Sequence, residues 1–552
     1  MKMKRIFAIF AAMTLVIAMF SGCKSKGDDA SSEPEFEYYT EWEGNGKTGS
    51  EKSGQNDSKG SSGGKAGKNP TGGKTSSPSS VKKNKIDGTG DLIVEGLGND
   101  PFANYKLKGN VTVSIDTSRP TDFEALFDAF QKLYPNIKLK FDYFMSPNAT
   151  SAEEFLTARA AAGKMPDVVF DDAGTIPFYV SQGWCYPLDD FVKNDPEFKY
   201  VPSNIVDCYR YCGKLYALPQ QAQFDLILLN LDAMDALNIK EPSLSWTVSD
   251  FENLLKKGTT DVYSGTEDGF FTVRLFSGVM SPNNQIGQYG YNRYTRKYEF
   301  NKSYNKALEF TWEVRSIPGV IAWAMRNGSS DTDPNSDYAK KFGTSNLSDH
   351  NMAFKSGKTV LHSVGTWQEN EMRDTLKFDW EFWPYPQNIQ GQMPVHVDHS
   401  FMTSSSQDPK AAFELLRFVS YSTEGNIARL SMYDKANKGK YTLNRKLFYP
   451  VTTSPKVAEK FNSLPGAGKV EKYLFANMAK CFRADEAKFV PEFNEIVAQH
   501  ISEAQNKVTD GLVKANEVMP EAERKANQAM QKAWAELEAK VKKAQTNFKP
   551  RH

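Results

Sequence analysis

AAAGKMPDVVFDD, residues 160–172, running on to GWCYPLD at 183–189, is the stretch that decides the fold. An alanine-rich helical segment stops at Gly163 and Pro166, and a short apolar strand, Val168 to Phe170, follows at once. The strand ends in two carboxylates, Asp171 and Asp172. In open α/β sheets ligands sit outside the carboxyl ends of strands, so this pair falls where a binding site is expected. Adjacent strand residues point to opposite faces, so the two are poorly arranged as a paired acid and base. One is expected to meet a ligand while the other caps the next helix.

The same grammar extends outward. VTVSI at 111–115 alternates as a strand, and Phe123, Leu126, Phe127 and Phe130 form a helical stripe that Pro135 stops. IKLKF at 137–141 is the next strand, followed by a helix over 152–162. Repeated β-α-β units with short connections predict a mainly parallel sheet flanked by helices. FDLILL at 224–229 is nearly continuous in apolar character, as in a strand buried on both faces. Thr247 or Ser249 is placed to cap a helix after Trp246, and Asp189-Asp190 to cap one from Phe191. Residues 520–543 predict a charged amphipathic helix lying on the body.

A chain of 552 residues predicts two or more lobes. With 68 Lys+Arg against 67 Asp+Glu and no basic stripe, nucleic acid is not indicated. The amino end reads as a targeting segment over residues 1–22: a basic start, then an apolar run from Ile6 to Phe20, too short for a typical membrane span. It ends in FSGC, which resembles a bacterial lipobox and implies lipidation of Cys23 and anchoring on the outer face of the cell membrane. Residues 23–100, rich in Ser, Gly and Lys, are expected to be a disordered tether spanning roughly 45 Å. Its aromatic and acidic patch at 33–43 has no assigned role. Cys185, Cys208, Cys212 and Cys481 do not make a disulfide framework, and no ligand spacing for zinc accompanies them.

Further motifs come in a recognisable order. GKLYALP at 213–219 is followed by LLN at 228–230, then Pro242 with SWT at 245–247. NMAFKSGK at 351–358 with GTW at 365–367 comes next, then DPKAAFELLRF at 408–418. Together with the opening stretch these resemble the sugar-type extracellular solute-binding proteins of ABC transporters, over about residues 110–450. The resemblance implies two α/β lobes joined by hinge crossings and closing on a ligand, about 108–225 with 400–450 and about 226–399 with 451–548. It places the crossings near 224–229, 395–401 and 450–454. It implies a monomer that captures a mono- or oligosaccharide, delivers it to an ABC permease in the membrane, and uses no cofactor, metal or catalytic residue.

Candidate ligand contacts follow. Asp171 and Asp172 carry over by position in the motif. Asp116 and Arg119 follow the first strand at its carboxyl edge. Gln223 directly precedes the crossing strand, and an amide can both donate to and accept from a hydroxyl. Trp367, in the family's Gly-x-Trp step, offers an indole face to a sugar ring; Trp323, Trp383 and Tyr385 are expected in the core or rim. His396, Asp398 and His399 form an H-x-D-H cluster in which His396 and Asp398 share a strand face while His399 points away. That excludes a three-ligand metal site, and Asp398 and His399 read as polar contacts at a crossing. Competing readings are a secreted glycosidase or lyase, which needs two carboxylates roughly 5 to 9 Å apart, a receptor for a peptide or other polar solute, and a lipoprotein sensor or adhesin.

Overall fold

The computed structural model describes residues 102–116, 120–144, 152–171, 174–267, 270–322, 335–343, 352–433 and 448–550. The targeting segment, Cys23, the tether, Arg119, Asp172 and Trp323 lie outside the described residues.

Among the described residues the amino-side strands are β1 (Gly109–Asp116), β2 (Ile137–Phe144) and β3 (Val168–Asp171). β1 pairs in parallel with β2 on one side and β3 on the other. The intervening helices are α1 (Pro120–Leu133) and α2 (Ala152–Ala161), and α3 (Ile176–Ser181) follows β3. Val111, Val113 and Ile115 on one face of β1 are at most 1 % exposed, and α1 adds Leu126, Phe127 and Phe130 to the same core. Each such side chain contributes about 1.5–3 kcal/mol on burial.

β4 (Leu218–Asn230) is buried along all its 13 residues and is longer than the apolar run predicts. The added residues include Pro219 and three glutamines, whose polarity hides the strand from an apolarity count. Asn230 ends β4 and caps α4 (Leu231–Ala236), its side chain accepting from the Ala233 N–H. α5 (Val248–Gly258) opens on a reciprocal cap between Thr247 and Asp250. β5 (Ser264–Thr266) and α6 (Phe270–Val279) follow, then β6 (Thr359–Gly365), β7 (Trp380–Trp383) and β8 (Pro394–Met402). α7 (Pro409–Ser420) packs on β1, α8 (Thr423–Tyr433) packs on α7 and α1, and β9 (Phe482–Arg483) pairs with β8.

The strand order is β2-β1-β3-β8-β4-β6-β5, with β7 also on β4 and β9 on β8. Pairs within each flank, β1 with β2 and β3, and β5 with β6, are parallel. The long β4 and β8 run antiparallel to each other, β8 to β3 and β4 to β6, and join the flanks, while β9 lies parallel to β8. β4 pairs with β8 through Phe224 and with β6 from Asp225 onward, so it passes from one flank to the other between those residues.

The last helix, α9 (Ala515–Asn547), buries Ala515, Met519, Ala522, Ala526, Met530, Ala533, Leu537 and Val541, a stripe at spacings of three and four. Its first turns pack on Tyr291, Tyr298 and Tyr304, and its last turns on the amino-side core. Trp534 donates to the Tyr291 hydroxyl at 3.0 Å, Gln545 donates to the Tyr216 hydroxyl at 2.9 Å, and Phe548 meets Tyr186 edge-on at 4.8 Å. No helix of the described residues is long and apolar enough to cross a membrane. All four cysteines of the described residues are free thiols, and burial pushes Cys208 and Cys481 up to about 12.

One expected cap is corrected. The helix at Asp189 begins on that residue, and its carboxylate instead accepts from the Leu215 N–H at 3.1 Å and pairs with Arg210 at 3.1 Å. The acid is recruited by an unpaired strand N–H and a cation close by.

Candidate functional site

The crossing strands carry a polar face inside an apolar core. On β4, Gln221, Gln223 and Asp225 alternate with the core residues Ala222, Phe224 and Leu226. On β8, His396 lies opposite Gln223 and Asp398 opposite Gln221, so all five side chains share one face. The register slips between Asp398 and His399, which then lies opposite Pro219. Gln221, Gln223, Asp225 and Asp398 are each at most 7 % exposed, so every polar group needs a partner.

The partners form two linked sets. Asp398 Oδ2 accepts from Gln221 Nε2 at 2.5 Å and Gln223 Nε2 at 3.1 Å, while Lys488 Nζ lies 3.3 Å from Oδ1. Gln223 Oε1 accepts from the Thr366 hydroxyl at 2.9 Å, and Gln221 Oε1 accepts from Arg429 Nη2 at 2.7 Å. In the second set His396 Nε2 lies 2.6 Å from Asp225 Oδ2, and Arg274 Nη2 approaches Asp225 Oδ1 to 3.8 Å. Trp367 meets the His396 ring edge-on at 5.0 Å and is 38 % exposed, a large aromatic surface left open beside a buried polar floor.

Lys488 arrives from the segment that follows β9. There Arg483 pairs with Asp485, and Asp485 Oδ2 accepts from the Val397 N–H at 2.8 Å. Glu486 is 3 % exposed; burial, reinforced by Asp485, pushes its carboxyl up to about 8. The backbone passes within touching distance at Gly287, where an added Cβ would lie 1.6 Å from Glu486 Oε1. Ala487, between Glu486 and Lys488, lines a cavity of about 340 Å³. The opposite wall of that cavity is Glu153, Thr175 and Phe178 from the α2 and α3 region, with Glu536 and Lys540 of α9 at its rim. Thr175 donates to Glu153 at 2.5 Å.

The sequence candidates are distributed as follows. Gln223 and Asp398 come together on the crossing strands, and Trp367, in the turn after β6, meets His396. Asp171 ends β3 and is paired through its backbone with His399, and Asp116 ends β1. His399 itself is fully buried, its ring flanked by Tyr209 at 6.0 Å and Phe489 at 6.2 Å, on the side away from Asp398. Trp383 and Tyr385 are core residues at 2 % and 0 % exposure. Reading the sequence missed Gln221, Asp225, Arg274 and Lys488. Asp225 carried a usable signal: a carboxylate inside an apolar strand is rarely buried without a partner. Among the described residues no group of three or more His, Cys, Asp or Glu is placed to hold a metal ion.

This combination, two flanks joined by antiparallel crossings with a polar floor and an open indole at the junction, defines a class of binding proteins. The chain belongs to the bacterial extracellular solute-binding proteins: that family's sequence profile matches residues 116–421, more than half the chain. An ABC substrate-binding protein of Listeria monocytogenes, solved in complex with cycloalternan, is 18 % identical with a TM-score of 0.53, covering 77 % of this chain and all of that one. A sugar transporter protein of Rhizobium etli in an open conformation is 16 % identical with a TM-score of 0.55, covering 76 % and 99 %. A solute-binding protein of Thermotoga lettingae bound with α-D-tagatose is 16 % identical with a TM-score of 0.51, covering 77 % and 100 %. These likenesses are of fold. An uncharacterised ABC transporter extracellular-binding protein of Pyrococcus horikoshii is 26 % identical over 164 residues, 29 % of this chain and 37 % of that relative's length.

Proposed function

We propose that this protein is the extracytoplasmic receptor of an ABC importer, capturing a carbohydrate by hinge closure and handing it to a membrane permease without breaking a bond. The observation that carries the reading is Trp367: an indole more than a third exposed, beside a hydrogen-bonded polar floor. An indole covers the C–H face of a pyranose, and amides and carboxylates exchange hydrogen bonds with its hydroxyls. The solved relatives with cycloalternan and tagatose support a saccharide over a peptide.

In this reading Gln223 and Asp398 meet the ligand from the crossing strands, Trp367 from the turn after β6, and Asp116, Arg119, Asp171 and Asp172 from the ends of β1 and β3. The lobes are about 108–225 with 400–450, and about 226–399 with 451–548. β4 and β8 serve as hinge crossings, where a few residues absorb the change in φ and ψ. Lipidation of Cys23 and the tether over 23–100 hold the receptor at the membrane.

Calorimetry of the purified full chain against a glycan panel, with product analysis by mass spectrometry, tests the proposal. Saturable binding of one saccharide with the sugar recovered intact is the expected result. Cleaved products, or binding of a peptide with no response to any sugar, would sink it.

A further inference from the structure

Arg274 is the least satisfied cation near the site. It projects from α6 with its side chain 33 % exposed, and its Nε is buried with no hydrogen-bond partner among the described residues. The nearby carboxylate, Asp225, stands 3.8 Å away and is already closed by His396 at 2.6 Å. A guanidinium presents donors in a fixed planar fork that matches a carboxylate two bonds at a time. Asp225 and then His396 link that fork to the open indole of Trp367.

We propose that the ligand is an acidic saccharide, its carboxylate gripped by Arg274 above the His396–Asp225 pair while Trp367 covers the sugar ring. This rests on the carbohydrate reading above and narrows it. The arrangement separates the two recognition tasks. Arg274 reads the acid, and Trp367 reads the ring.

The test is calorimetry of the full chain with uronate disaccharides (glucuronate, galacturonate and mannuronate types), each beside its neutral hexose counterpart. An acidic member should bind roughly tenfold or more tighter than its neutral partner, and added salt should erode that preference. Arg274→Ala should remove the preference while changing neutral-sugar affinity less than about threefold, and Arg274→Lys, which keeps the charge and loses the fork, should fall between. Thermal unfolding of each variant reports whether it folds; if Arg274→Ala does not, Arg274→Lys and the salt dependence of the wild type decide. Equal affinity for both members of every pair, or equal loss for both on substitution, overturns the acidic assignment and leaves the carbohydrate reading standing. Binding of no saccharide at all defeats both.

Discussion

Arg417 and Arg274 are each held by a helix against a carboxylate-bearing network, and they end in opposite conditions. Arg417 on α7 is 3 % exposed and meets Asp195 at 2.6 Å, Glu197 at 2.6 Å and Glu414 at 3.3 Å. Its partners are closed in turn: Tyr421 donates to Asp195 at 2.8 Å, Tyr134 to Glu414 at 2.7 Å, and the Thr423 N–H to Glu197 at 3.2 Å. Nothing is left over for a ligand. Arg274 keeps an open fork, linked through Asp225 and His396 to an exposed indole. Burial of charge alone does not mark a functional site; donors without acceptors do.

The largest effect that can break this contrast is on the closed side. Arg417→Ala strands three buried carboxylates, and destabilisation of about 3–5 kcal/mol is expected, read as a lower urea midpoint. Ligand affinity of the folded variant should stay within about threefold of wild type. A variant that unfolds normally yet binds poorly would erase the distinction between the two networks. On the open side, Trp367→Ala should reduce saccharide affinity by roughly 10- to 100-fold with little change in unfolding temperature, because the ring is already partly in water. Stability loss without affinity loss would make Trp367 a packing residue.

The smallest effect sharpens the electrostatics of the open network. The Glu486 carboxyl is raised by burial to about 8 in the folded protein, against an ordinary value of 4.5. The folded state thus holds a proton that the unfolded chain releases. The stabilising contribution is fully present below pH 4.5 and is lost as pH rises to 8. Chemical denaturation at pH 5, 6.5 and 8 should show a decline over that window, and Glu486→Gln, which stays neutral throughout, should flatten it. An unchanged slope in Glu486→Gln would place the titrating group elsewhere.

Much of this architecture can be read from local pattern. The β1–β3 strands, the Asn230 cap, the Thr247 cap and the terminal helix follow from periodicity and capping chemistry. What escapes is long-range. β4 begins six residues before its apolar run because Gln221 and Gln223 are satisfied by Asp398, 177 and 175 positions away. Arg274 sits in an apolar helix with no neighbour in sequence to announce it, and Asp189 answers a strand N–H that only the fold brings near. Gln223 and Trp367 were marked by motif position, and Asp398 by the H-x-D-H cluster near an expected crossing. Their partners were not, because partnership depends on strand register.

The terminal helix has a consequence for how the molecule is made. A chain is synthesised from its amino end, yet Tyr186 and Tyr216 are covered by Phe548 and Gln545, the latter 329 residues beyond Tyr216. Tyr211 likewise stacks on Trp534. The earlier region therefore waits, with aromatic surface uncovered, for a region made later. Vectorial synthesis and spatial closure run in opposite orders here. A product cut short before residue 534 keeps that aromatic surface exposed, the kind of patch that chaperones and proteases recognise.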